Sequence, residues 1–297
     1  MNTRYLLFIL MLTVAGLRAD TVQYSYDSAG RLVTATYSSG TAISYSYDKS
    51  GNLLSRSVTS AGSGPVITAG GIVNAASFTA PIARGSLATI FGTGLAGGVA
   101  QASTLPLQTT LGNVQVTVGG TPAPLIYVSP TQINFQVPFE APTSGNAAVI
   151  VTNNGTPSAP QNAAMAEYAP GVFTYARTAT ALDPIIVHLD NTLVSPSNPA
   201  SANEVLVIYA TGAGTFDHPP ATGAPSPASP LANASVTPTV KVGGASASVS
   251  FAGLTPGYVG LLQINIQLPA SLPSGSSLPL VVSFGTSASP AVNLAVH

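Results

Sequence analysis

The stretch Gln132-Ile133-Asn134-Phe135-Gln136-Val137-Pro138, QINFQVP, returns 131 positions later as QINIQLP, from Gln263 to Pro269. Read at period two, its letters split into a polar set, Gln132, Asn134 and Gln136, and an apolar set, Ile133, Phe135 and Val137. This is the alternation of a half-buried β-strand. The second copy divides in the same way, with Gln263, Asn265 and Gln267 against Ile264, Ile266 and Leu268. One strand of one structural unit has been used twice. On both copies the apolar members should be buried and the amides exposed.

The repeat extends outward from these strands. LATIFGTG (87–94) matches VLVIYATG (205–212) at an offset of 118, and Val118-Gly119-Gly120 matches Val242-Gly243-Gly244 at 124. Offsets that grow along the chain mean longer loops in the second copy. Other short β-rich runs, such as VQVTV (114–118), AAVIV (147–151) and LVVSF (280–284), stand between Gly, Pro, Asn and Ser punctuation. The one weak helix candidate is QNAAMAEYA (161–169). The spacing predicts an all-β chain with two tandem β-sandwiches, at 71–167 and 168–297.

A second, shorter repeat precedes them. VQYSYDSAGRLVTATY is followed at period 21 by ISYSYDKSGNLLSRSV, aligning Tyr26-Asp27 with Tyr47-Asp48, Gly30 with Gly51 and Leu32 with Leu53. Each copy reads as a Tyr-rich strand, a four-residue turn opened by Asp and closed by Gly, and a return strand. The Asp side chains are expected to cap their own turns rather than bind calcium, since neither loop carries a second carboxylate. Residues 20–58 thus form a small hairpin array, and the Ser/Ala/Gly/Thr-rich stretch 59–70 reads as a flexible linker.

At the amino terminus Arg4, the apolar run from Tyr5 to Leu17 and then Arg18-Ala19 fit a signal peptide cleaved after Ala19, so residues 1–19 are expected to direct export. No other stretch reaches membrane-spanning length, so no span is expected in the mature chain. Only 6% of the residues are charged, against roughly 25% in an average soluble domain. Without Arg4 and Arg18 there remain six basic against nine acidic residues. No basic stripe exists to neutralise a nucleic-acid backbone, so that partner class is excluded. There is no cysteine, hence no disulfide and no thiolate metal site.

The YD followed by G-R-L or G-N-L resembles the tyrosine–aspartate repeats of rearrangement-hotspot (RHS) and teneurin-type surface proteins. Two copies are too few to enclose a cargo, so the resemblance implies only an association with exported surface proteins. From Gly71 onward, the order ARGSLATIFGTGL, VTVGG, SPTQINFQVP and AVIVTNNG resembles the immunoglobulin-like IPT/TIG domains. With NAASF, APGVFT, NPAS, IYATGAG and LTPGYVGLLQINIQLP, it also resembles a carboxy-terminal domain recurrent in exported acidobacterial proteins. The resemblance implies an immunoglobulin-like fold and an exported location, and no chemistry. The second copy departs from the pattern by starting with Asn203-Glu204 where these domains have Pro-Gly.

No chemical constellation is complete. Gly92-Thr93-Gly94-Leu95-Ala96-Gly97 satisfies G-x-G-x-x-G, but no helix follows to meet a pyrophosphate, so no cofactor is expected. His188 and Asp190 lie two apart on an apparent strand and are the seed of a weak hydrolase reading, but no G-x-S-x-G nucleophile accompanies them. His188, His218 and His297 are isolated, and Asp217-His218 is at best a weak ligand pair, so no metal is expected. What remains is the amide face of the two QIN strands, Gln132, Asn134 and Gln136 beside Tyr127, and Gln263, Asn265 and Gln267 beside Tyr258. Amides and aromatic rings are what sugar-binding sheets use, and equally what solvates an outer sheet face. The leading expectation is a secreted or cell-envelope, non-catalytic surface, adhesion or assembly module whose partner is a surface protein or polysaccharide. A carbohydrate-binding accessory module is the alternative.

Overall fold

The computed structural model describes residues 21–37, 41–59, 64–179, 181–273 and 275–297. Every regular element in them is a β-strand. The expected signal peptide and its cleavage site lie outside the described residues, as does the middle of the expected linker, 60–63.

Residues 22–59 form a four-stranded antiparallel sheet in chain order: Val22–Tyr26, Leu32–Tyr37, Ala42–Tyr47 and Leu53–Thr59. Its turns are held by their aspartates. Asp27 Oδ1 accepts the amides of Ala29 and Arg31, both at 2.9 Å, and Asp48 Oδ1 accepts those of Ser50 and Asn52 at 2.9 and 2.8 Å. Gly30 and Gly51 close the turns at φ 76° and 90°, where a side chain would be strained.

The first sandwich starts earlier than expected. Val66–Gly70, read above as linker, is the first half of the strand Val66–Asn74, with Val66 opposite Thr93 and Ile67 opposite Gly92. The cause is Ile67, which is 3% exposed and joins the core of that sandwich. One sheet runs in the order Val66–Asn74, Leu87–Thr93, Gln132–Gln136, Leu125–Val128, Ala100–Gln101. The facing sheet is built on Val114–Val118 and Gly145–Asn153, flanked by Thr110–Leu111, Thr121–Pro122, Thr156–Pro157 and Gln161–Met165. That last strand corrects the helix candidate. Ala163 and Met165 are buried while Asn162 and Ala164 are exposed, a period of two that pairs the segment with Gly145–Val149.

The second sandwich repeats this path. Val205–Thr211 takes the place of Leu87–Thr93, Thr239–Val242 that of Val114–Val118, Leu262–Gln267 that of the first QIN strand, and Gly275–Phe284 that of Gly145–Asn153. The register is identical: Gln132 lies opposite Phe91 and Gln136 opposite Leu87, while Gln263 lies opposite Tyr209 and Gln267 opposite Val205. A further pair of positions 131 apart agrees, because Ser158 Oγ accepts the amide of Val151 and Ser289 Oγ that of Val282, both at 3.1 Å. The copies differ at one step. Where the first copy breaks into Thr121–Pro122 and Leu125–Val128 around Ala123-Pro124, the second runs unbroken as Ala245–Leu254, pairing first with Thr239–Val242 and then with the second QIN strand. Proline at 122 and 124 removes two ladder donors and splits the strand.

Each sandwich encloses its own core. Ile133, Phe135 and Val137 pack with Ile90, Leu125, Val116 and Val149 in the first, and Ile264, Ile266 and Leu268 pack with Leu206, Ile208, Val240 and Phe284 in the second. The departure at Asn203-Glu204 is accommodated locally. Asn203 adopts φ 64°, which asparagine tolerates, and the Glu204 amide returns to the Ser201 carbonyl.

Candidate functional site

The polar face of the first QIN strand is not an open surface. Asn134 is 3% exposed and Gln136 fully buried, contrary to the expectation that the amides face water. At Gln136 the reason is that the second sandwich sits over this end of the face. Gln136 Oε1 accepts the amide of Gly223, in a loop of the second sandwich, at 2.7 Å, and the Gly223 carbonyl in turn accepts the amide of Leu107 at 2.8 Å. Beside it Thr222 Oγ1 accepts the Phe139 amide and donates to Glu140 Oε2 at 2.7 Å, and the Phe139 and Phe216 rings meet edge to face at 6.2 Å.

Two more contacts join the same faces. The Asn74 side chain accepts the amides of Ala76 and Ser77 through Oδ1 and donates through Nδ2 to the Ala169 carbonyl at 2.7 Å. Thr211 Oγ1 accepts the Leu87 amide at 2.9 Å and donates to the Gly260 carbonyl at 3.1 Å, so a fully buried hydroxyl bridges the two units. Beside these bonds the backbone of the second unit is itself tightly packed. Gly212, at φ 92°, lies so near the Ala169 carbonyl that a side-chain carbon would collide with it. Around these bonds Leu87, Ala76, Phe173, Ile185 and Leu261 form a small apolar cluster, with Ile126, Tyr209 and Tyr258 packed against it. Burial, with Tyr258 nearby adding to it, raises the pKa of the Tyr209 phenol.

The remaining expected residues divide between the two copies. Gln132 is half-buried and donates to Asn134 Oδ1 at 2.9 Å, an oxygen that also accepts the Thr89 hydroxyl. Tyr127 is half-buried, opposite Asn134 and Gln101. In the second copy Gln263 donates to Asn265 Oδ1, again at 2.9 Å, and both stay half-buried, whereas Gln267 is exposed and donates to the Asn203 carbonyl at 3.1 Å. Tyr258 packs into the junction. The structure therefore does not bring the eight residues into one surface. Gln136 and Tyr258 belong to the junction, Asn134 is buried beside Thr89 and Gln132 of its own sandwich, and Gln263, Asn265 and Gln267 form the part of the ladder that solvent reaches.

His188 and Asp190 take different hydrogen-bond partners. The strand Ile186–His188 ends at the histidine, and Asp190 turns away to accept the Thr192 amide and hydroxyl at 2.9 and 2.7 Å. His188 Nδ1 meets Glu204 Oε1 at 2.5 Å, and Nε2 faces the Asn198 carbonyl at 3.3 Å, so both ring nitrogens are engaged. The other Glu204 oxygen accepts the Ser201 amide at 2.8 Å. Burial disfavours the imidazolium, yet the Glu204 bond, the Asn198 carbonyl and the charges of Glu204 and Asp190 outweigh it and raise the pKa. Asp217 holds the Asn233 amide and side chain, with His218 at 3.2 Å. Among the described residues no three His, Cys, Asp or Glu side chains gather as a metal site. In the glycine-rich turn Asn153 donates to the Gly94 carbonyl at 3.0 Å, so this loop is tied to its own sandwich.

Sequence reasoning missed Asn74, Thr211, Thr222, Gly223 and Glu204. Thr211 stands in the repeated T-G, and Asn74 in the quoted NAASF, but nothing in either motif says that a second unit lies opposite.

Residues 72–168 match the IPT/TIG domain and residues 26–64 the RHS repeat, so the chain carries an IPT/TIG domain preceded by RHS-type repeats. No curated protein matches it. Similar solved structures include the γ-CGTase of alkalophilic Bacillus clarkii, at 15% identity and TM-score 0.25, matched over 86% of this chain and 30% of that one. They also include the I9–I11 tandem of titin, at 9% identity and TM-score 0.20, over 78% and 65%, and domains 5–6 of the S-layer protein SbsC, at 13% and 0.21, over 78% and 98%. This chain thus spans less than a third of the CGTase. Among the described residues no helix is long and apolar enough to cross a membrane.

Proposed function

We propose that the chain is an exported, non-catalytic surface module in which units 66–167 and 168–297 act as one rigid body carrying the YD-type sheet. The observation that supports this reading best is how the polar groups of the first QIN face are spent. Gln136 and Asn74, with Thr211 from the second unit, hold the sandwiches together, so these polar groups are spent on the contact. Several ionisable side chains are likewise engaged by structure: Asp27, Asp48 and Asp190 cap turns, Asp183 pairs with Arg177, and His188 is held at both nitrogens. IPT/TIG and RHS segments in one chain fit an extracellular or surface setting. Crosslinking and mass spectrometry on intact cells tests the placement, with recovery of envelope neighbours expected and a cytoplasmic set refuting it. An esterase, glycosidase and peptidase panel tests the rest. Turnover lost in a His188→Ala, Asp190→Ala double variant would refute the non-catalytic reading.

One observation favours a second reading. The Gln263–Asn265–Gln267 ladder stays open to solvent at its outer end, so it can present amides to a surface polysaccharide. Glycan-array binding lost on changing Gln263 and Asn265 to Ala would support it, and unchanged binding would refute it.

A further inference from the structure

The four-stranded sheet at the amino terminus has a joint in its middle and half of the same joint at each edge. Where the two repeats meet, Thr34 lies opposite Ser44 and Ala35 opposite Ile43. The Tyr47 hydroxyl donates to the Leu32 carbonyl at 3.0 Å, Arg31 Nη1 donates to the Asp48 carbonyl at 3.2 Å, and the Arg31 guanidinium lies 4.9 Å from the centre of the Tyr47 ring. One period of 21 residues earlier, the counterpart of Tyr47 is Tyr26, on the edge strand Val22–Tyr26, 60% exposed. One period later, the counterpart of Leu32 is Leu53, at the start of the opposite edge strand Leu53–Thr59 and 54% exposed. Neither edge is paired among the described residues. The Val22–Tyr26 edge carries no proline and no charge, the devices that normally guard an edge against pairing. The face shared by the sheet adds to this: Tyr24, Ala35, Ile43 and Val58 stand in one cross-strand row, and Tyr24 and Val58 are more than half exposed.

We propose that the Val22–Tyr26 edge of one copy of this chain pairs with the Leu53–Thr59 edge of a second copy, reproducing between molecules the joint that links the two repeats within one. The partner is a second copy because this chain supplies both halves of the joint, in matching register. Shifting the internal pairing by one period sets Ser55 opposite Gln23 and Arg56 opposite Val22 of the second copy, and brings that copy's Tyr26 hydroxyl to the Leu53 carbonyl. The contact is head to tail and leaves a new edge at each end, so it propagates rather than closes. It is also weaker than the internal joint. In Arg31's place stands Asn52, which has no guanidinium to lay over a ring and whose side chain donates to its own Asp48 at 2.9 Å. The inference goes beyond the surface role proposed above and does not depend on where the chain resides.

Sedimentation velocity on the full chain, over about a hundredfold range of concentration, tests it. The average mass should rise past that of a dimer. Asn52→Arg restores the missing guanidinium and should tighten association about two- to fivefold, whereas Tyr26→Phe removes the hydroxyl donor and should weaken it about two- to tenfold. Hydrogen exchange on the unaltered protein provides a measurement free of folding effects. Amides of both Val22–Tyr26 and Leu53–Thr59 should gain protection together as concentration rises. A mass independent of concentration in both the wild type and Asn52→Arg would overturn the proposal. So would association that neither substitution changes, or protection gained at one edge alone, since either places the contact elsewhere.

Discussion

Gln136 and Gln267 occupy the same position of the two QIN strands, 131 residues apart and in the same register, yet one is fully buried and the other exposed. Truncating each to alanine isolates what the junction contributes. Gln136→Ala removes the oxygen that accepts the Gly223 amide at 2.7 Å and strands that buried donor. A buried N–H left without a partner costs about 1–3 kcal/mol, while the second bond, from Gln136 Nε2 to the Gly85 carbonyl, is long at 3.5 Å and adds little. We therefore expect about 2 kcal/mol for Gln136→Ala. Gln267→Ala loses an exposed bond and should stay within about 0.5 kcal/mol. For a sandwich-sized unit with a urea dependence of about 2 kcal/mol per molar, the difference appears as a midpoint shift of roughly 1 M. Because Gln136 and Gly223 belong to different sandwiches, the variant should also separate the unfolding of the two units into distinct transitions by fluorescence and circular dichroism. Equal midpoints for the two variants, with one shared transition, would refute the assignment of Gln136 to the junction.

Three further outcomes are expected. Phe135→Ala, at a fully buried position, should cost about 3–5 kcal/mol in urea unfolding. Thr211→Val keeps the shape but leaves the Leu87 amide without its acceptor and should cost about 1–3 kcal/mol, whereas Thr93→Val at the exposed equivalent position should be silent. His188 has its folded pKa raised, so its ion pair with Glu204 stabilises fully below the unfolded value of about 6.5 and is lost as pH rises through the folded pKa. The melting temperature should fall across that window, and Glu204→Gln should flatten the dependence.

Much of the architecture was legible because period-two alternation and a duplicated segment report on packing directly. Ile133, Phe135, Ile264 and Ile266 are fully buried as the alternation requires. The burial of Asn134 and Gln136 was not legible, and the reason is chemical. An amide side chain satisfies itself equally well with water or with a backbone group of a neighbouring unit, so its presence on a strand names the face and not what covers it. The linker failed for a related reason. Ser, Gly and Ala set the composition of 59–70, but a single residue, Ile67, found a core to enter and drew the strand back to Val66. The His188–Glu204 pair joins a strand end to a turn 16 residues on, where no local period operates.

The junction also explains why two copies of one fold need not share a function. Identical faces meeting about a two-fold axis would use the same residues twice, but covalently consecutive units meet with different parts of their surfaces. Here the first copy contributes the Gln136 end of its outer face and the second contributes the Thr211 corner and the Thr222-Gly223 loop. Two of the recruited side chains have an equivalent left to solvent in the other copy: Gln136 with Gln267, and Thr211 with Thr93. The longer loops of the second copy supply the Thr222-Gly223 tip, for which the first copy has no counterpart of matching sequence. Duplication therefore provided two cores of one design, and the asymmetry of the contact divided their outer faces into one that binds its neighbour and one that remains open, at Gln263, Asn265 and Gln267, to whatever lies outside the molecule.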